Sequence, residues 1–382
     1  MYVRTRDQLG RLPPSYFYGS HINGLGEKTP KPILLTHYHV RKALHPGAGL
    51  LSDTNADVMT VARMKPGYVE VTDSRRANLQ KEVDKLIQTK YSSAVSPNVN
   101  LRIALVDLTE VKHHTPIFGG FWSFNPGSEM EGASLPKILA LYAAYQLRFD
   151  LDTFAALKGI TKASALQLSI ANEWKKAGLT TQPKLAGLFT FVEKSGSTVE
   201  AKLRRKPAIH SNSDARALIL ALGFEYIGSV ALQSGLFDEK QGGLWLNAAY
   251  AKPAITWSGS PFPKLPRHCI TALSAATYFT LLAQGRLVNQ ASSNEIASVL
   301  RLKCMEPGLL DGVNSLPGVI GASPNKCGIL SPYYHEAIHV NRQPPGGRRL
   351  EYVAAVISKE PPALDFVTLG KELDSIIAKL NP

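Results

Sequence analysis

Gly132-Ala133-Ser134-Leu135-Pro136-Lys137 is followed by an apolar run, ILALYAAYQLRF over residues 138–149, which holds one charge in twelve residues. A run so rich in helix-forming residues predicts a buried helix. Ser134 stands where that helix is expected to begin, and Pro136 falls in its first turn, where a missing N–H costs little. Because residues three apart on a helix share a face, Ser134 and Lys137 are expected to lie side by side.

A serine beside a lysine has a chemical meaning. A serine hydroxyl is a weak nucleophile until a neighbouring base takes its proton. A lysine becomes that base when burial and the positive end of a helix dipole lower its pKa. Ser-x-x-Lys also occurs in many proteins in which the serine caps a helix and the lysine is solvated. The motif alone leaves that alternative open.

Composition limits the partners. The chain has 382 residues, of which 44% are hydrophobic and 19% are charged, as in globular proteins with a sizeable core. Its net charge of +13 suits anionic partners, but the basic residues are mostly dispersed. The densest clusters, within 202–206 and at 348–349, have no interleaved aromatic residues. A solvated surface is therefore favoured over a nucleic-acid site, and no nucleic-acid partner is expected.

The cysteines and the N-terminus bear on the compartment. Cys269, Cys304 and Cys327 are odd in number and widely spaced, which predicts neither a disulfide framework nor a structural zinc site. The N-terminus lacks an apolar signal core, and no stretch is long enough to span a bilayer. We expect either a cytoplasmic protein or a mature periplasmic or secreted form from which a signal has been removed.

The order of the predicted elements indicates an α+β fold. Before Ser134, the patterns predict a helix over 74–89 and strands over 100–108 and 115–124. Helical patterns dominate the middle of the chain, at 154–157, 163–171, 215–222, 272–287 and 296–302, around an irregular stretch at 233–268. The last part predicts strands over 327–330, 334–340 and 350–357 and a helix over 367–380. We expect an antiparallel sheet built from both chain ends, with an inserted helical subdomain.

These patterns also suggest domain boundaries. Residues 1–75 are rich in Pro, Gly, His and Arg, show little periodicity, and are expected to form an irregular N-terminal extension. Residues 76–382 are expected to form one domain. Its sheet part comprises 76–133 and 324–382, and its helical part comprises 134–323.

Three motifs follow one another in this order. The first is Ser134-Leu135-Pro136-Lys137. The second, Ser211-Asn212-Ser213, precedes an Ala-rich helical pattern, and the third, Lys326-Cys327-Gly328, opens a late strand. Over residues 75–382 the chain thus resembles the penicillin-recognising serine hydrolases of the class A β-lactamase-like branch, which carry Ser-x-x-Lys, Ser-x-Asn and Lys-Thr-Gly.

The resemblance implies a serine hydrolase that acts on an ester, amide or lactam carbonyl of a small or peptide-like, anionic substrate. Ser134 would attack the carbonyl and form an acyl-enzyme, with Lys137 as base. Ser211 would relay a proton toward the leaving group, helped by Lys326, whose charge also attracts an anion. The backbone N–H groups of Ser134 and Ile329 would form the oxyanion hole. Ser213, Cys327 and Gly328 would contact the substrate. No cofactor is implied.

The chain departs from the family pattern at three points. Cys327 is a weak hydrogen-bond donor where the family has a hydroxyl, and Ser213 lacks the amide of the usual asparagine. The segment expected to carry the deacylating acid, 243–247, has none, although Asp238 and Glu239 lie slightly earlier. These departures predict a poor β-lactamase. They also leave open a catalytically decayed ligand-binding protein of the same fold.

His335-Glu336-Ala337-Ile338-His339 matches the His-Glu-x-x-His motif of zinc peptidases, in which a helix places both histidines on one face. A zinc peptidase using His335 and His339 is therefore a minor alternative. The flanking residues favour a β-hairpin over a helix. On a strand the two histidines would be about 13 Å apart, at about 3.3 Å per residue, which is too far to share one zinc ion.

Overall fold

A computed structural model describes residues 74–91, 101–109, 117–122, 130–157, 159–176, 189–194, 198–203, 209–238, 242–285, 287–301, 304, 306–321, 323–359 and 365–382. Residues 1–73 of the predicted N-terminal extension lie outside the described residues. Its predicted irregular character and the predicted domain boundaries therefore stay predictions.

Helices and strands are interspersed along the described parts of the chain. The helices are α1 (Ser74–Lys90), α2 (Lys137–Leu157), α3 (Ala163–Lys176), α4 (Asn212–Leu222), α5 (Phe224–Ser234), α6 (Ala272–Ala283), α7 (Gln290–Val299), α8 (Leu309–Asn314) and α9 (Phe366–Leu380). The strands are β1 (Leu101–Asp107), β2 (Ile117–Trp122), β3 (Met130–Glu131), β4 (Phe189–Lys194), β5 (Thr198–Leu203), β6 (Phe237–Asp238), β7 (Gly242–Gly243), β8 (Trp245–Leu246), β9 (His268–Ile270), β10 (Val319–Ile320), β11 (Asn325–Leu330), β12 (Tyr333–Gln343) and β13 (Leu350–Lys359).

The chain forms two compact units. The first takes Leu139–Gly235 and Leu246–Lys264. The second takes the described part of Asn55–Ile138, together with Leu236–Trp245 and Leu265–Pro382. Helix α2 begins at the end of the first segment of the second unit and continues into the first unit.

An antiparallel sheet forms the centre of the second unit. Its strand order is β10-β12-β13-β1-β2, and β11 also pairs with β12. The pairing of β1 with β13, from Leu101 opposite Ser358 to Asp107 opposite Tyr352, joins an early strand to a late one. The prediction of an α+β fold whose antiparallel sheet is built from both chain ends is confirmed.

The two faces of this sheet carry different helices. Alternation along the strands places apolar residues on both faces, as in a sheet covered on both sides. On one face α1, α8 and α9 enclose a core that includes Ile338, Val340, Tyr352 and Val356. On the other face α6 packs against β1, β12 and β13. Helix α6 begins in a capping box between Thr271 and Ser274, which satisfies two of its free backbone N–H groups.

A buried ion pair ties α9 to the sheet. The Arg342 guanidinium on β12 donates from Nε to Asp374 Oδ1 at 3.0 Å and also binds the second carboxylate oxygen. Tyr352 on β13 donates its hydroxyl to the same Asp374 Oδ1 at 3.0 Å. Arg342 Nη1 donates to the Pro317 carbonyl at 2.8 Å. Each charged group therefore has several partners, which offsets the cost of burying it.

The first unit combines helices with one hairpin. Helix α2 contributes the wholly buried Tyr145, and α5 contributes Tyr226. Strands β4 and β5 pair from Phe189 opposite Leu203 to Lys194 opposite Thr198. Helices were predicted over most of this region, and neither the β4–β5 pair nor α5 was predicted. Among the described helices no single one has the length and apolar composition of a membrane span, while the bent pair Asn212–Leu222 and Phe224–Leu232 meets that criterion on length and composition alone.

The expectation that the cysteines form no disulfide is wrong for one pair. Cys304 and Cys327 form a disulfide, with their Cα atoms 6.0 Å apart, and Cys269 is buried and not disulfide-bonded. The two bonded cysteines are 23 positions apart in the sequence. The fold brings them together by placing β11 beside the segment that leads into α8. The spacing of the two cysteines in the sequence does not predict that these segments meet.

The disulfide predicts a definite thiol count. Alkylation of the denatured, unreduced protein should add one group, at Cys269, and alkylation after reduction should add three, as counted by intact mass. Because the bond closes a loop of 23 residues, its reduction should lower the free energy of unfolding by about 3 kcal/mol in a denaturant titration. The variant Cys269→Ser is the matched control and should show no alkylation before reduction. Three alkyl groups on the unreduced wild-type chain would contradict the pairing.

Candidate active site

Ser134 lies in a tight turn, residues 132–136, which we call the serine turn. Leu135 N donates to Gly132 O at 2.9 Å and Lys137 N to Ser134 O at 3.4 Å, so each bond spans three residues. Such closely wound turns often lead into a helix. Helix α2 begins at Lys137. The prediction that the helix begins at Ser134 is therefore wrong by three residues, because the turn takes the place of the first helical turn.

The backbone of the serine turn is constrained at its first two residues. Ala133 has φ of 48°, a left-handed conformation that residues with a Cβ rarely adopt. Gly132 has no room for a side chain, since a Cβ there would lie 2.5 Å from Pro136 Cγ and 2.8 Å from Ile270 Cγ2. These two residues therefore constrain the backbone that leads to Ser134. The Ser134 residue itself is half-buried.

Two lysines share the second unit near this turn. Lys137, at the start of α2, is only 1% exposed. Burial, together with the charge of Lys137, lowers the pKa of Lys326 to about 7, and the charge of Glu336 opposes the change. The Lys326 amine donates to the Cys327 carbonyl at 2.5 Å. The charge of Lys137 therefore acts on Lys326, and the predicted roles of both lysines stay predictions.

Strand β11 presses against the serine turn through Gly328. A Cβ at Gly328 would lie 2.5 Å from Gly132 O and 2.7 Å from Leu135 N, both backbone atoms. Only glycine permits this approach. Because side chains alternate along a strand, Lys326 and Gly328 share the face of β11 toward the turn. The structure thus brings the first and third motifs together.

The opposite face of β11 carries Asn325 and Cys327. Cys327 is opposite Glu336 in the register with β12 and is bonded to Cys304. Asn325 Nδ2 donates to Glu336 Oε1 at 3.4 Å, and Leu309 N donates to Glu336 Oε2 at 2.6 Å. Burial raises the pKa of Glu336 to about 7 in spite of these bonds. A disulfide sulfur has no S–H, so Cys327 cannot donate a hydrogen bond to a substrate through its sulfur. Any other substrate contact of Cys327 stays a prediction.

Ser211 and Ser213 lie in the first unit, at the start of α4. Ser211 caps that helix, because its Oγ accepts from Asp214 N at 2.9 Å. The same hydroxyl donates to Asp214 Oδ2 at 2.6 Å and lies 2.9 Å from Ser213 Oγ. Both serines are exposed. The predicted helix after this motif is confirmed, and the roles of both serines stay predictions.

Other predicted site residues are placed as follows. Ile329 lies on β11 opposite Tyr334 and is 40% exposed. Asp238 lies in the short strand β6, and Glu239 falls outside the described residues. The predicted oxyanion role of the Ile329 N–H and the predicted help from either acid are not decided by this placement.

The His-Glu-x-x-His segment forms a strand, β12, as its flanking residues predicted. His335 is wholly buried, and both of its ring nitrogens bind backbone groups, Glu131 O at 2.8 Å and Ser358 N at 3.2 Å. His339 binds elsewhere, with Nε2 3.0 Å from Glu351 Oε1. Glu336 lies on the opposite face of the strand from both histidines. This arrangement does not supply the helical zinc geometry.

Sequence reasoning missed the residues that shape the serine turn. Glu131 binds the His268 ring Nδ1 at 3.1 Å through Oε1, and its backbone carbonyl accepts from His335. A glycine directly before Ala133 and Ser134 was the available signal for a tight turn. The partners His268 and His335 are more than 130 positions from Ser134, and no local pattern connects them to it.

Comparisons with known proteins add the following. No protein-family model matches the chain, and no curated protein matches its sequence. Among solved structures, the chain is similar to a β-lactamase from Sphaerobacter thermophilus at 15% identity and a TM-score of 0.46, over 78% of this chain and 95% of that one. It is similar to PBP-A at 16% and 0.45, over 79% and 95%. It is similar to a class A β-lactamase from Bacteroides cellulosilyticus at 11% and 0.46, over 81% and 99%.

The close approach of β11 to the serine turn predicts a severe effect of one methyl group. Gly328→Ala would place Cβ 2.5 Å from Gly132 O, so the strand or the turn must move. We expect a loss of about 2 kcal/mol in the free energy of unfolding, typical of overpacking. Gly259→Ala is the matched control, because a Cβ there meets its nearest atom at 3.5 Å, and it should change stability by less than about 0.5 kcal/mol. Equal effects of the two changes would contradict the contact.

Proposed function

We propose that the protein is a serine hydrolase that forms an acyl-enzyme at Ser134, with Lys137 as the base. The proposed substrate is an ester, amide or lactam carbonyl of a small or peptide-like molecule. One observation carries the proposal: Gly328 packs against the backbone of the serine turn, so β11, which holds Lys326, lies against the turn that holds Ser134 and leads into the buried Lys137. Burial and the charge of Lys137 lower the pKa of Lys326 to about 7, so the two amines repel one another and do not both stay protonated near neutral pH. We propose that the remaining proton rests on Lys326, which leaves Lys137 as the neutral amine.

The proposed acylation follows from this neutral amine. Lys137 accepts the Ser134 proton while Oγ bonds to the carbonyl carbon and the carbonyl electron pair moves onto oxygen. When that pair returns, the bond to the leaving group breaks, and the leaving group takes a proton from the site. Lys326 is the proposed source of positive charge for the departing group and for an anionic substrate. Ser211 remains the predicted relay of the proton.

Release of the acyl group is the proposed slow step. Water must add to the acyl carbon and give up a proton as the Ser134 oxygen leaves, and a general base speeds this step. The segment 243–247, where an acid was expected, contains none. The proposed enzyme therefore hydrolyses penicillins poorly and suits an activated ester, an amide or acyl transfer to another nucleophile.

A second candidate function is binding without catalysis. It is favoured by Cys327, whose sulfur is bonded to Cys304 and has no hydrogen to offer a substrate. In this case the fold and the two lysines would hold an anionic ligand. Ser134 would then act only within the turn. Covalent labelling of Ser134 by an activated probe separates the two candidates.

The nucleophile is tested by intact-mass spectrometry after incubation with a fluorophosphonate and, separately, with a fluorescent penicillin. We expect one adduct on the wild-type chain and none on Ser134→Ala. Lys137→Met, which keeps the length of the buried side chain, should slow labelling by about 10²- to 10⁴-fold, as expected for loss of a general base.

The control for this test is Ser323→Ala, a serine of the same unit outside the serine turn, which should label as the wild type does. A penicillin adduct that lasts for hours would support slow deacylation. Rapid multiple-turnover cleavage of penicillin would contradict it. If neither probe labels the wild-type chain, the binding protein is the better account.

The pH dependence of labelling tests the lysine pair. The base must be neutral, so the rate should rise roughly tenfold per pH unit until the lysine pair has lost one proton and should then level off. Lys326→Met removes one positive charge beside Lys137, which should make Lys137 harder to deprotonate and move the profile to higher pH. The exposed Lys371→Met is the control for a general change in charge and should leave the profile in place. A profile unmoved by Lys326→Met would contradict the coupling.

A further inference from the structure

His335 is a buried polar residue that the proposed reaction does not use. It lies on β12 with no exposed surface and connects two backbone segments. Nε2 is 2.8 Å from the Glu131 carbonyl oxygen, and the Ser358 N–H donates to Nδ1 at 3.2 Å. The sequence analysis singled out this histidine only as a candidate zinc ligand.

The partners of His335 fix its tautomer. The Ser358 N–H can only donate, so Nδ1 must be the accepting nitrogen, without a proton. The Glu131 carbonyl can only accept, so Nε2 carries the ring proton and donates it. Burial lowers the pKa of His335 to about 4, with Arg102 acting in the same direction and the Glu131 bond and carboxylate opposing it. The imidazole is therefore neutral at physiological pH, and both bonds persist there.

The bond to Glu131 holds the start of the serine turn. Glu131 is the last residue of β3, and its carbonyl precedes Gly132, the first residue of the turn. In the register of the sheet, His335 is opposite Gly328, whose Cα packs against Gly132 O and Leu135 N. One cross-strand pair thus contacts both the turn and the residue directly before it. Gly328 limits how closely the turn can approach, and His335 limits how far it can move away.

We propose that His335 is a positioning residue for Ser134: by donating from Nε2 to the Glu131 carbonyl it fixes the place at which the serine turn leaves β3. This inference rests on the proposed function, since it assigns a role in acylation. A nucleophile displaced by about 1 Å loses on the order of 100-fold in rate. The bond is therefore expected to matter more for the rate of acylation than for folding.

Two substitutions separate the two bonds of the imidazole. The amide nitrogen of glutamine occupies the place of Nε2, so His335→Gln keeps a donor toward Glu131 and loses the acceptor for Ser358. The amide oxygen of asparagine occupies the place of Nδ1, so His335→Asn keeps the acceptor and loses the donor. If the imidazole ring only fills space in the core, the asparagine and glutamine variants, which both lack the ring, should label Ser134 at the same rate.

The first measurement is the second-order rate of fluorophosphonate labelling at Ser134. We expect His335→Asn to lower it by about 10- to 100-fold and His335→Gln to restore it to within about fivefold of the wild type. Thermal unfolding of both variants should shift by similar amounts, since each loses one hydrogen bond. His339→Asn and His339→Gln are the matched controls on the same strand and should label at the wild-type rate. Equal rates for the two His335 variants would overturn the positioning role.

The second measurement does not depend on any reaction. Hydrogen exchange of the peptide covering 131–137 should be faster in His335→Asn than in His335→Gln, which should match the wild type. If the wild-type chain is not labelled at Ser134, the proposed function fails, and the exchange result still decides whether His335 holds the turn. Unchanged exchange in His335→Asn would overturn the inference. If neither variant folds, the ring ¹⁵N shifts of the wild-type protein decide, and a proton on Nδ1 of His335 would overturn it.

Discussion

The contact between Gly328 and the serine turn is the constraint on which the second unit depends. Two backbones approach so closely that no Cβ fits between them. This approach fixes which face of β11 meets the turn, and alternation then decides the rest. Lys326, two residues away, must lie on the same side as the turn, and Cys327 must lie on the other, where the disulfide holds it. Lys326 and the Cys304–Cys327 disulfide thus lie on opposite faces of β11.

Much of this arrangement could be predicted from local patterns. Apolar alternation located β1, β12 and β13, and the assignment of strands to both chain ends led to the correct sheet. The segment with His335 and His339 was correctly predicted as a strand, because the Ser-Pro before it and the Pro-Pro-Gly-Gly after it do not suit a helix. The buried character of α2 was also predicted, from its apolar run.

The features that were missed depend on contacts between distant residues. Pro136 suits the first turn of a helix and also a tight turn, so its presence did not show that α2 begins at Lys137. Ala133 gives no sign of a left-handed backbone, because alanine seldom adopts one. The disulfide depends on the approach of two segments in the fold. Strand β4 was not predicted, although its sequence, FTFVEK, partly alternates as a strand does.

Strand β12 carries a buried base and a buried acid at consecutive positions, His335 and Glu336. A shift of one residue in its pairing would exchange the two sides of the strand. The carboxyl would then meet the Glu131 carbonyl, acceptor against acceptor, and the imidazole would meet the start of α8. Single insertions and deletions within β12 should therefore be eliminated during evolution, even where they preserve its apolar pattern. Variation in chain length among natural variants should gather instead in the turn between β12 and β13.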